Sequence, residues 1–190
     1  MKRITVFCGS SNGFDKDYSK YARLLGESFV KNKLDLVYGG TDVGLMGEIA
    51  NTVLKGGGKV IGVIPDFIKN FKLAHEKLTE LIVVESMHER KAKMEDLSDG
   101  FIALPGGFGT LEELFEVLTM SQLTLHKKPV ALFNIKGYYN DLLSMMGNMV
   151  EKGFLQQVNL DMLIVADNID DLIKRMNDFN FPETKKWKIN

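Results

Sequence analysis

Short apolar runs alternate with helical patterns along the whole chain, and this alternation restricts the fold more than any other feature. The apolar runs predict strands over residues 4–8, 34–38, 59–64, 81–84, 101–104, 130–133 and 163–165. Helical spacing predicts helices over 16–32, 45–55, 87–98, from about 110 to 125, 138–152 and 168–179. Repeated strand–helix units predict a doubly wound parallel sheet with helices on both faces. We expect one α/β domain over residues 1–190, with a short helix and loop in 66–80 and a polar tail around Trp187 at about 180–190.

Composition and charge exclude several classes of function. A net charge of −1 gives no electrostatic footprint for a nucleic acid polymer or an anionic membrane. The chain has no apolar run of about 18 residues, and the run over 4–8 is too short for a secretion signal. We therefore expect a cytoplasmic protein. The single cysteine, Cys8, excludes an internal disulfide and is predicted to be a small buried residue rather than a nucleophile.

Three of the predicted strands end in glycine-rich turns. Gly9 follows the first strand, Gly39-Gly40 the second, and Gly106-Gly107 the fifth. In doubly wound sheets, ligands bind outside the carboxyl ends of the strands, so we expect these turns to meet at one rim. The third turn leads into a helix, whose first N–H groups and partial positive charge favour an anion such as phosphate. With Ser10 and Ser11 as hydrogen-bond donors, the set predicts a nucleotide or phosphosugar site.

The common nucleotide and metal motifs are not complete in this chain. Gly39 and Gly44 have the spacing of a P-loop, but Leu45-Met46 replaces the required Lys-Ser/Thr. Gly107-x-Gly109 is followed by Glu112 where a dinucleotide fingerprint has its third glycine. The three histidines, at positions 75, 88 and 126, share no spacing that metal ligands use. We therefore expect neither ATP hydrolysis nor hydride transfer, and no metal.

Arg90, Lys91 and Glu113 are the remaining candidates for chemistry. Arg90 can clamp a phosphate or carboxylate, although a solvated basic face is an alternative for Arg90 and Lys91. A helix N-terminus and a nearby Arg90 would both lower the pKa of Glu113. An ionised Glu113 suits activation of water or stabilisation of a cation, and not proton donation. As an alternative, Thr110 and Glu113 fit a capping box with Thr110 as N-cap, and Ser86 and Glu89 fit another.

Four segments of the chain resemble the Lonely guy (LOG) family. Residues 105–113, PGGFGTLEE, are similar to the PGGxGTxxE signature of that family, and residues 87–94, MHERKAKM, resemble its second conserved block. Residues 6–11, VFCGSS, and 37–47, VYGGTDVGLMG, also look like those of its members. The resemblance runs from about residue 3 to residue 165, in order and at the spacing of the family.

The resemblance implies a Rossmann-like homodimer or larger assembly that needs no metal or cofactor. LOG proteins are cytokinin riboside 5′-monophosphate phosphoribohydrolases, which hydrolyse adenine-type nucleoside 5′-monophosphates to the free base and ribose 5-phosphate. Members are often mislabelled lysine decarboxylases, but this sequence offers no lysine site for pyridoxal phosphate. Both AMP and a prenylated adenine nucleotide fit as substrates. The segment that follows Pro65 diverges from the family as far as Glu80, so no base contact is assigned there.

By this resemblance, Arg90 and Glu113 are the catalytic pair, and no residue is an evident acid for the departing adenine. The expected substrate-binding residues are Gly9, Ser10, Gly39, Gly40, Gly44, Met87, Lys91, Pro105, Gly106, Gly107, Phe108, Gly109, Thr110 and Thr119. The alternative function is a non-catalytic nucleotide or cofactor carrier on the same fold. A carrier needs only the phosphate cradle, so the presence of both Arg90 and Glu113 favours the enzyme.

Overall fold

Seven strands form one parallel sheet in the computed structural model, which describes residues 1–70 and 73–182. They are β1 (Arg3–Phe7), β2 (Asp35–Tyr38), β3 (Val60–Pro65), β4 (Glu80–Val84), β5 (Gly100–Ala103), β6 (Val130–Phe133) and β7 (Leu163–Ala166). Their order across the sheet is β4-β3-β2-β1-β5-β6-β7. The predicted doubly wound α/β fold is therefore confirmed.

The helices lie in two layers, one on each face of the sheet. They are α1 (Lys16–Lys31), α2 (Gly44–Lys55), α3 (Asp66–Asn70), α4 (Met87–Leu97), α5 (Phe108–Gln122), α6 (Asn140–Glu151), α7 (Gln157–Asp161) and α8 (Ile169–Asn177). Helices α1, α2 and α8 share one buried cluster with the sheet, whereas α4, α5 and α6 share another. Helices on both faces require strands that are apolar on both sides, which explains the unbroken apolar runs in the sequence.

Alternate residues of the strands point to the two helical layers. In β1, Ile4 and Val6 pack against the α1–α2–α8 layer, while Phe7 packs against the α4–α5–α6 layer. Thr5 also faces the second layer, where its hydroxyl is 3.1 Å from the Met94 carbonyl oxygen of α4. Both layers are therefore fixed to the central strand.

The strand order reverses direction between β1 and β5, and this switch point positions the candidate site. From β1 the chain proceeds outward through β2, β3 and β4, and then returns to β5 on the other side of β1. The loops after β1 and β5 therefore diverge above adjacent strands, leaving a crevice between them. The two loops are also tied together, because the Gly9 N–H donates to the Pro105 carbonyl oxygen at 3.0 Å.

The structure differs from the sequence-based prediction in its short elements. Helix α7 and a single 3-10 turn at Ile135–Gly137 were not predicted. Within 66–80, the expected short helix is α3, and a loop follows from residue 73. Residues 71–72 and 183–190, with the expected polar tail around Trp187, lie outside the described residues. In the part of the chain that the structure describes, no helix is long and apolar enough to span a bilayer, and the cytoplasmic location stays a prediction.

Candidate active site

A cleft of about 280 Å³ opens at the carboxyl ends of β1 and β2, between helices α4 and α5. Phe7 and Cys8 line it from the end of β1, and Gly39 lines it from the end of β2. Arg90 of α4 and Glu113 of α5 line its sides. The cleft therefore lies at the switch point, where ligands bind in folds of this kind.

Arg90 and Glu113 form a buried pair in this cleft. The Arg90 Nη1 atom is 3.4 Å from Glu113 Oε1, and both residues are less than a tenth exposed. The Arg90 Nε–H also donates to the Val63 carbonyl oxygen of β3 at 3.2 Å, which fixes the guanidinium over the ends of the strands. The sequence predicted that these two residues would meet, and the structure brings them together.

Gly39 leaves the space that the Arg90 guanidinium occupies. A Cβ atom at position 39 would stand 2.1 Å from Arg90 Nη2 and 3.1 Å from the Met46 sulfur. A side chain at this position is therefore incompatible with the observed arginine. Gly39 therefore leaves room for the Arg90–Glu113 pair, in addition to lining the cleft.

The prediction that Glu113 has a lowered pKa is wrong. Burial raises the pKa of Glu113 from 4.5 to about 7, because desolvation outweighs the opposing effect of the Arg90 charge. Glu113 also lies beyond the first turn of α5, which begins at Phe108, so the partial charge of the helix N-terminus is weaker there. At neutral pH, both ionisation states of this carboxyl group are populated.

The glycine-rich turn presents free N–H groups at the start of α5. The N-cap is Gly107, not Thr110, and no side chain caps this helix, so the predicted capping box at Thr110 and Glu113 is wrong. Among the described residues, no acceptor is recorded for the N–H groups of Gly107, Phe108 and Gly109. Such donors at a helix N-terminus favour an anion.

The glycines of this turn divide into two kinds. A Cβ atom at Gly106 would lie 2.1 Å from Thr110 Oγ1, so this glycine is required by packing within the protein. At Gly107 and Gly109, a Cβ atom would meet nothing within 4 Å, and neither residue has a positive φ. Since packing does not require glycine at 107 and 109, these positions fit the close approach of a ligand.

Comparison with known proteins identifies the family. The model of a family described as "Possible lysine decarboxylase" matches residues 46–176. The cytokinin riboside 5′-monophosphate phosphoribohydrolase LOG1 of Arabidopsis thaliana is 48% identical over 194 residues, covering 100% of this chain and 91% of that protein. Its paralogue LOG7 is 45% identical and covers 94% of this chain and 82% of its own length. The chain belongs to the LOG family.

A solved structure has the same fold at lower sequence identity. The molybdenum cofactor binding protein from the phototrophic bacterium Rippkaea orientalis superposes with a TM-score of 0.71, covering 94% of this chain and 97% of that one. The two sequences are 24% identical, so the likeness shows the fold alone. The LOG relatives, at nearly twice that identity, are the comparison that bears on activity.

Several of the residues expected to bind substrate line the cleft of this LOG protein. They are Gly9, Ser10, Gly39, Met87, Gly107, Phe108, Gly109 and Thr110. The Met87 sulfur is 3.9 Å from Arg90 Nη1, and Phe108 is almost fully exposed at the rim. For these residues, substrate binding stays a prediction that the geometry favours.

Four of the residues expected to bind substrate do not line the cleft but support the segments around it: Gly40, Gly44, Pro105 and Gly106. Gly40 and Gly44 both have positive φ, of 79° and 57°. A Cβ atom at Gly44 would lie 2.3 Å from the backbone of Ser10 and Ser11, so this glycine lets α2 approach the β1 loop. Pro105 accepts the hydrogen bond from Gly9 that joins the two loops. For these four residues, the contacts within the protein therefore favour a structural role in shaping the cleft over direct contact with substrate.

Lys91 and Thr119 do not line the cleft. Lys91 Nζ contacts the Glu112 carboxylate and lies 3.0 Å from Glu116 Oε2. Burial opposes its charge, but the hydrogen bonds that Lys91 donates to the Glu112 and Glu116 carboxylates raise the pKa of Lys91. Thr119 is exposed, and its hydroxyl bonds the Phe115 carbonyl oxygen of the same helix at 2.7 Å. Neither residue therefore lines the cleft, and their contacts with substrate stay a prediction.

Several residues of the cleft were not predicted from the sequence. Cys8 is buried as predicted, but it also lines the cleft that holds Arg90 and Glu113. Burial, together with the Glu113 charge, raises the pKa of the Cys8 thiol well above its usual range, so the thiol stays neutral. Three methionines, at positions 46, 87 and 94, also line the cleft, and only Met87 was predicted. All three lie in the segments 37–47 and 87–94 that resemble the LOG family, and this was the available signal.

The histidines have structural partners or lie outside the cleft. The His126 ring lies 2.9 Å from the Val117 carbonyl oxygen, and His75 lies 3.1 Å from Asn51 Oδ1. His88 is exposed on α4. Within residues 1–70 and 73–182, no three His, Cys, Asp or Glu side chains are grouped so that they could hold a metal ion.

Proposed function

We propose that this LOG protein hydrolyses the N-glycosidic bond of adenosine 5′-monophosphates, including N6-substituted ones, to the free base and ribose 5-phosphate. The observation that carries the proposal is the buried Arg90–Glu113 pair, 3.4 Å apart, in one cleft with a turn whose N–H groups have no protein acceptor recorded. The names of the LOG relatives agree with this activity. A carrier would need the turn but not the pair.

The glycine-rich turn is the proposed site for the 5′-phosphate. Its free N–H groups and the partial positive charge of α5 attract an anion, and Gly107 and Gly109 leave room for its oxygens. Binding energy from the phosphate, which does not react, then holds the ribose in place. This explains how a specific nucleoside monophosphate is selected over the nucleoside.

Glu113 is the proposed base for the attacking water. In the reaction, the C1′–N9 bond breaks with its electron pair staying on the adenine, and the water oxygen forms a bond to C1′. The Glu113 carboxylate accepts a proton from the water and stabilises the positive charge that develops on the ribose ring. With a pKa of about 7, the protonated Glu113 can return that proton to solvent or to the adenine.

Arg90 is the proposed partner that orients Glu113 and holds the nucleotide. A guanidinium is not a proton donor at ordinary pH, so its contribution is charge and geometry. Its Nε–H is engaged by Val63 and its Nη1 by Glu113, which fixes the plane of the group. The N–H groups that remain are available to the substrate.

The base is proposed to lie against the methionines of the cleft. Met46, Met87 and Met94 supply a polarisable apolar surface that adapts to the shape of its neighbour. Such a surface accepts both adenine and an N6-alkyl substituent. A cytokinin-type nucleotide is therefore within the proposed substrate range, together with AMP.

We also propose that the protein is a homodimer. Five large apolar side chains are exposed on or next to the helices of the α4–α5–α6 layer: Phe108, Leu123, Leu125, Met145 and Phe154. Leu24 on α1 and Phe14 before it are exposed on the opposite layer, and the other exposed large apolar side chains of the described residues are spread over the rest of the chain: Met1, Phe67, Leu73, Val83 and Tyr138. An apolar surface of this kind is typical of contacts between chains.

Product analysis tests the proposed activity. The purified protein is incubated with AMP and with isopentenyladenosine 5′-monophosphate, and the products are separated by chromatography. We expect free base and ribose 5-phosphate in equal amounts, and the ratio of the two rates identifies the preferred substrate. Tight nucleotide binding by calorimetry without release of base from either substrate would instead support the carrier.

A further inference from the structure

Two adjacent tyrosines reach across to the glycine-rich turn from the segment after β6. The Tyr138 hydroxyl donates to the Gly106 carbonyl oxygen at 2.7 Å, and the Tyr139 hydroxyl donates to the Leu104 carbonyl oxygen at 2.6 Å. Both acceptors belong to the connection between β5 and α5. The turn that offers N–H groups to an anion is therefore held from behind through its carbonyl groups.

The bond from Tyr138 fixes the direction of one of the free N–H groups. The Gly106 carbonyl and the Gly107 N–H belong to the same peptide group, and all peptide bonds in the described residues are trans. In a planar trans peptide, these two groups point in opposite directions. Because the Gly106 carbonyl points to Tyr138, the Gly107 N–H must point away from it.

Tyr138 lies on the side of the turn away from the catalytic pair. It lines a neighbouring cavity of about 330 Å³, together with Tyr18 and Leu45, and none of these three residues lines the cleft that holds Arg90 and Glu113. The two cavities meet at Gly9, Ser10 and Gly107. Gly106 lines only this second cavity, whereas Gly109 lines only the cleft. The Gly107 N–H, pointing away from Tyr138, therefore faces the cleft.

The segment that carries Tyr138 is itself firmly held. The Asn134 side chain accepts from the Tyr139 N–H at 2.7 Å, and Lys136 Nζ lies 2.8 Å from Asp15 and 3.1 Å from Asp17. Lys136 has a φ of 53°, a left-handed conformation that residues with a side chain rarely adopt. The Tyr138 ring also meets the edges of Tyr18 and Tyr139. Although Tyr138 is 43% exposed, its hydroxyl has a defined position.

We propose that Tyr138 is a positioning residue for the phosphate subsite: its hydroxyl holds the Gly106–Gly107 peptide so that the Gly107 N–H donates to the 5′-phosphate. This inference rests on the proposed function, which places the phosphate at the turn. Tyr138 itself touches neither the substrate nor the reacting atoms. Its loss affects phosphate binding and leaves the chemical step intact.

The test compares Tyr138→Phe with Tyr18→Phe. Each change removes one hydroxyl from the same aromatic cluster, but no hydrogen bond of the Tyr18 hydroxyl is recorded among the described residues. For Tyr138→Phe, we expect the KM for AMP and the calorimetric Kd for ribose 5-phosphate to rise about 5–10-fold, the effect of one well-placed hydrogen bond. We expect kcat to stay within about twofold, and the Ki of free adenine, which lacks phosphate, to stay unchanged. Tyr18→Phe should leave all four values unchanged.

Two results would overturn the proposal. One is an unchanged Kd for ribose 5-phosphate in Tyr138→Phe. The other is an equal loss of affinity for adenine and ribose 5-phosphate, which would indicate general damage to the site. Failure of the proposed function can be distinguished from failure of this inference. In the first case the wild-type protein would release no base, and the calorimetric comparison with ribose 5-phosphate would still decide the role of Tyr138.

Discussion

Glu113 shows how the environment of one residue changes its chemistry. Its carboxyl group is desolvated beside Arg90, and desolvation raises its pKa to about 7 despite the arginine charge. A carboxylate with an ordinary pKa would be a weaker base for water at neutral pH. The raised pKa brings the group close to the pH at which a general base is most effective.

Replacing Glu113 by glutamine should separate binding from turnover. Glu113→Gln keeps the size of the side chain and a hydrogen-bond acceptor for Arg90, but it cannot accept a proton from water. We expect kcat to fall roughly 100–10,000-fold, while the Kd for AMP by calorimetry changes little. Unchanged turnover would remove Glu113 from the catalytic role.

The pH dependence of Glu113 has a defined sign. For activity, kcat/KM should rise with pH up to about 7 and then level off, because the carboxylate is the active form. For stability, the native state keeps this proton to a higher pH than the unfolded chain, so the free energy of unfolding falls between about pH 4.5 and 7. As the pH rises through this range, the free energy of unfolding of Glu113→Gln should therefore increase by up to about 3 kcal/mol relative to that of the wild type. Urea unfolding at pH 5 and pH 8 measures the difference in the free energy of unfolding between Glu113→Gln and the wild type. The same difference at both pH values would contradict the raised pKa.

Gly39→Ala should displace the Arg90 guanidinium while keeping the fold. The new methyl group would overlap Nη2 at the end of the Arg90 side chain, so we expect the guanidinium to be displaced while the backbone keeps its position. A displacement of about 1 Å at a catalytic group costs roughly 100-fold in kcat/KM. Gly147→Ala is the matched control, because a Cβ atom there meets nothing within 4 Å in helix α6. The control should keep full activity and gain about 0.5–1 kcal/mol of stability.

At the scale of elements, the turn that begins α5 contains one glycine that packing requires and another that leaves open space. Gly106 lies against Thr110 and the Gly9 N–H, so it joins the turn to the helix and to the β1 loop. Gly109 lies in the first turn of the helix and faces open space. Glycine is thus required by packing at position 106, whereas three positions later, at 109, it leaves open space.

Alanine at these two positions should therefore have opposite effects. Gly109→Ala is expected to raise the Kd for ribose 5-phosphate at least about tenfold, while helix propensity adds up to about 1 kcal/mol of stability. Gly106→Ala is expected to lower stability by about 1–3 kcal/mol, because the methyl group overlaps Thr110. Urea unfolding and calorimetry give both quantities. An unchanged affinity in Gly109→Ala would argue against a phosphate at the start of α5.

The sequence predicted long and repetitive elements well and local environments less well. All seven strands were located, because buried parallel strands leave unbroken apolar runs. Helix α7 was missed because its five residues are too few to show a helical period. Ser86 was correctly identified as an N-cap, and it accepts from the Glu89 N–H at 3.2 Å. At Thr110, a similar pattern failed because Gly107 begins the helix earlier.

The proximity of Arg90 and Glu113 was predictable from the sequence, but their electrostatics were not. The helices that carry them both follow parallel strands, whose carboxyl ends meet at one rim, and the structure places the two side chains 3.4 Å apart. The pKa of Glu113 depends on how deeply α4 and α5 bury it, which depends on contacts distant in sequence. The pairing of Lys91 with Glu112 and Glu116 likewise arises only when the two helices come together.

At the scale of the molecule, the two helical layers have different surfaces. The α1–α2–α8 layer encloses the larger buried cluster, and the α4–α5–α6 layer carries the Arg90–Glu113 pair and five of the large apolar side chains that are exposed among the described residues. Leu123 and Leu125, which follow directly after α5, are 45% and 68% exposed. A second chain on this layer would cover apolar surface and lie next to the active site.

The dimer can be tested by the mass in solution. Light scattering at micromolar concentration should give about 43 kDa, twice the 21.4 kDa of one chain. Leu125→Asp places a charge within the proposed contact and should shift the mass toward that of the monomer, because burying an unpaired carboxylate is costly. Leu24→Asp introduces the same charge on α1, in the opposite layer, and should leave the mass unchanged. A monomer mass for the wild type would refute the dimer, whereas a dimer broken only by Leu24→Asp would place the contact on the other face.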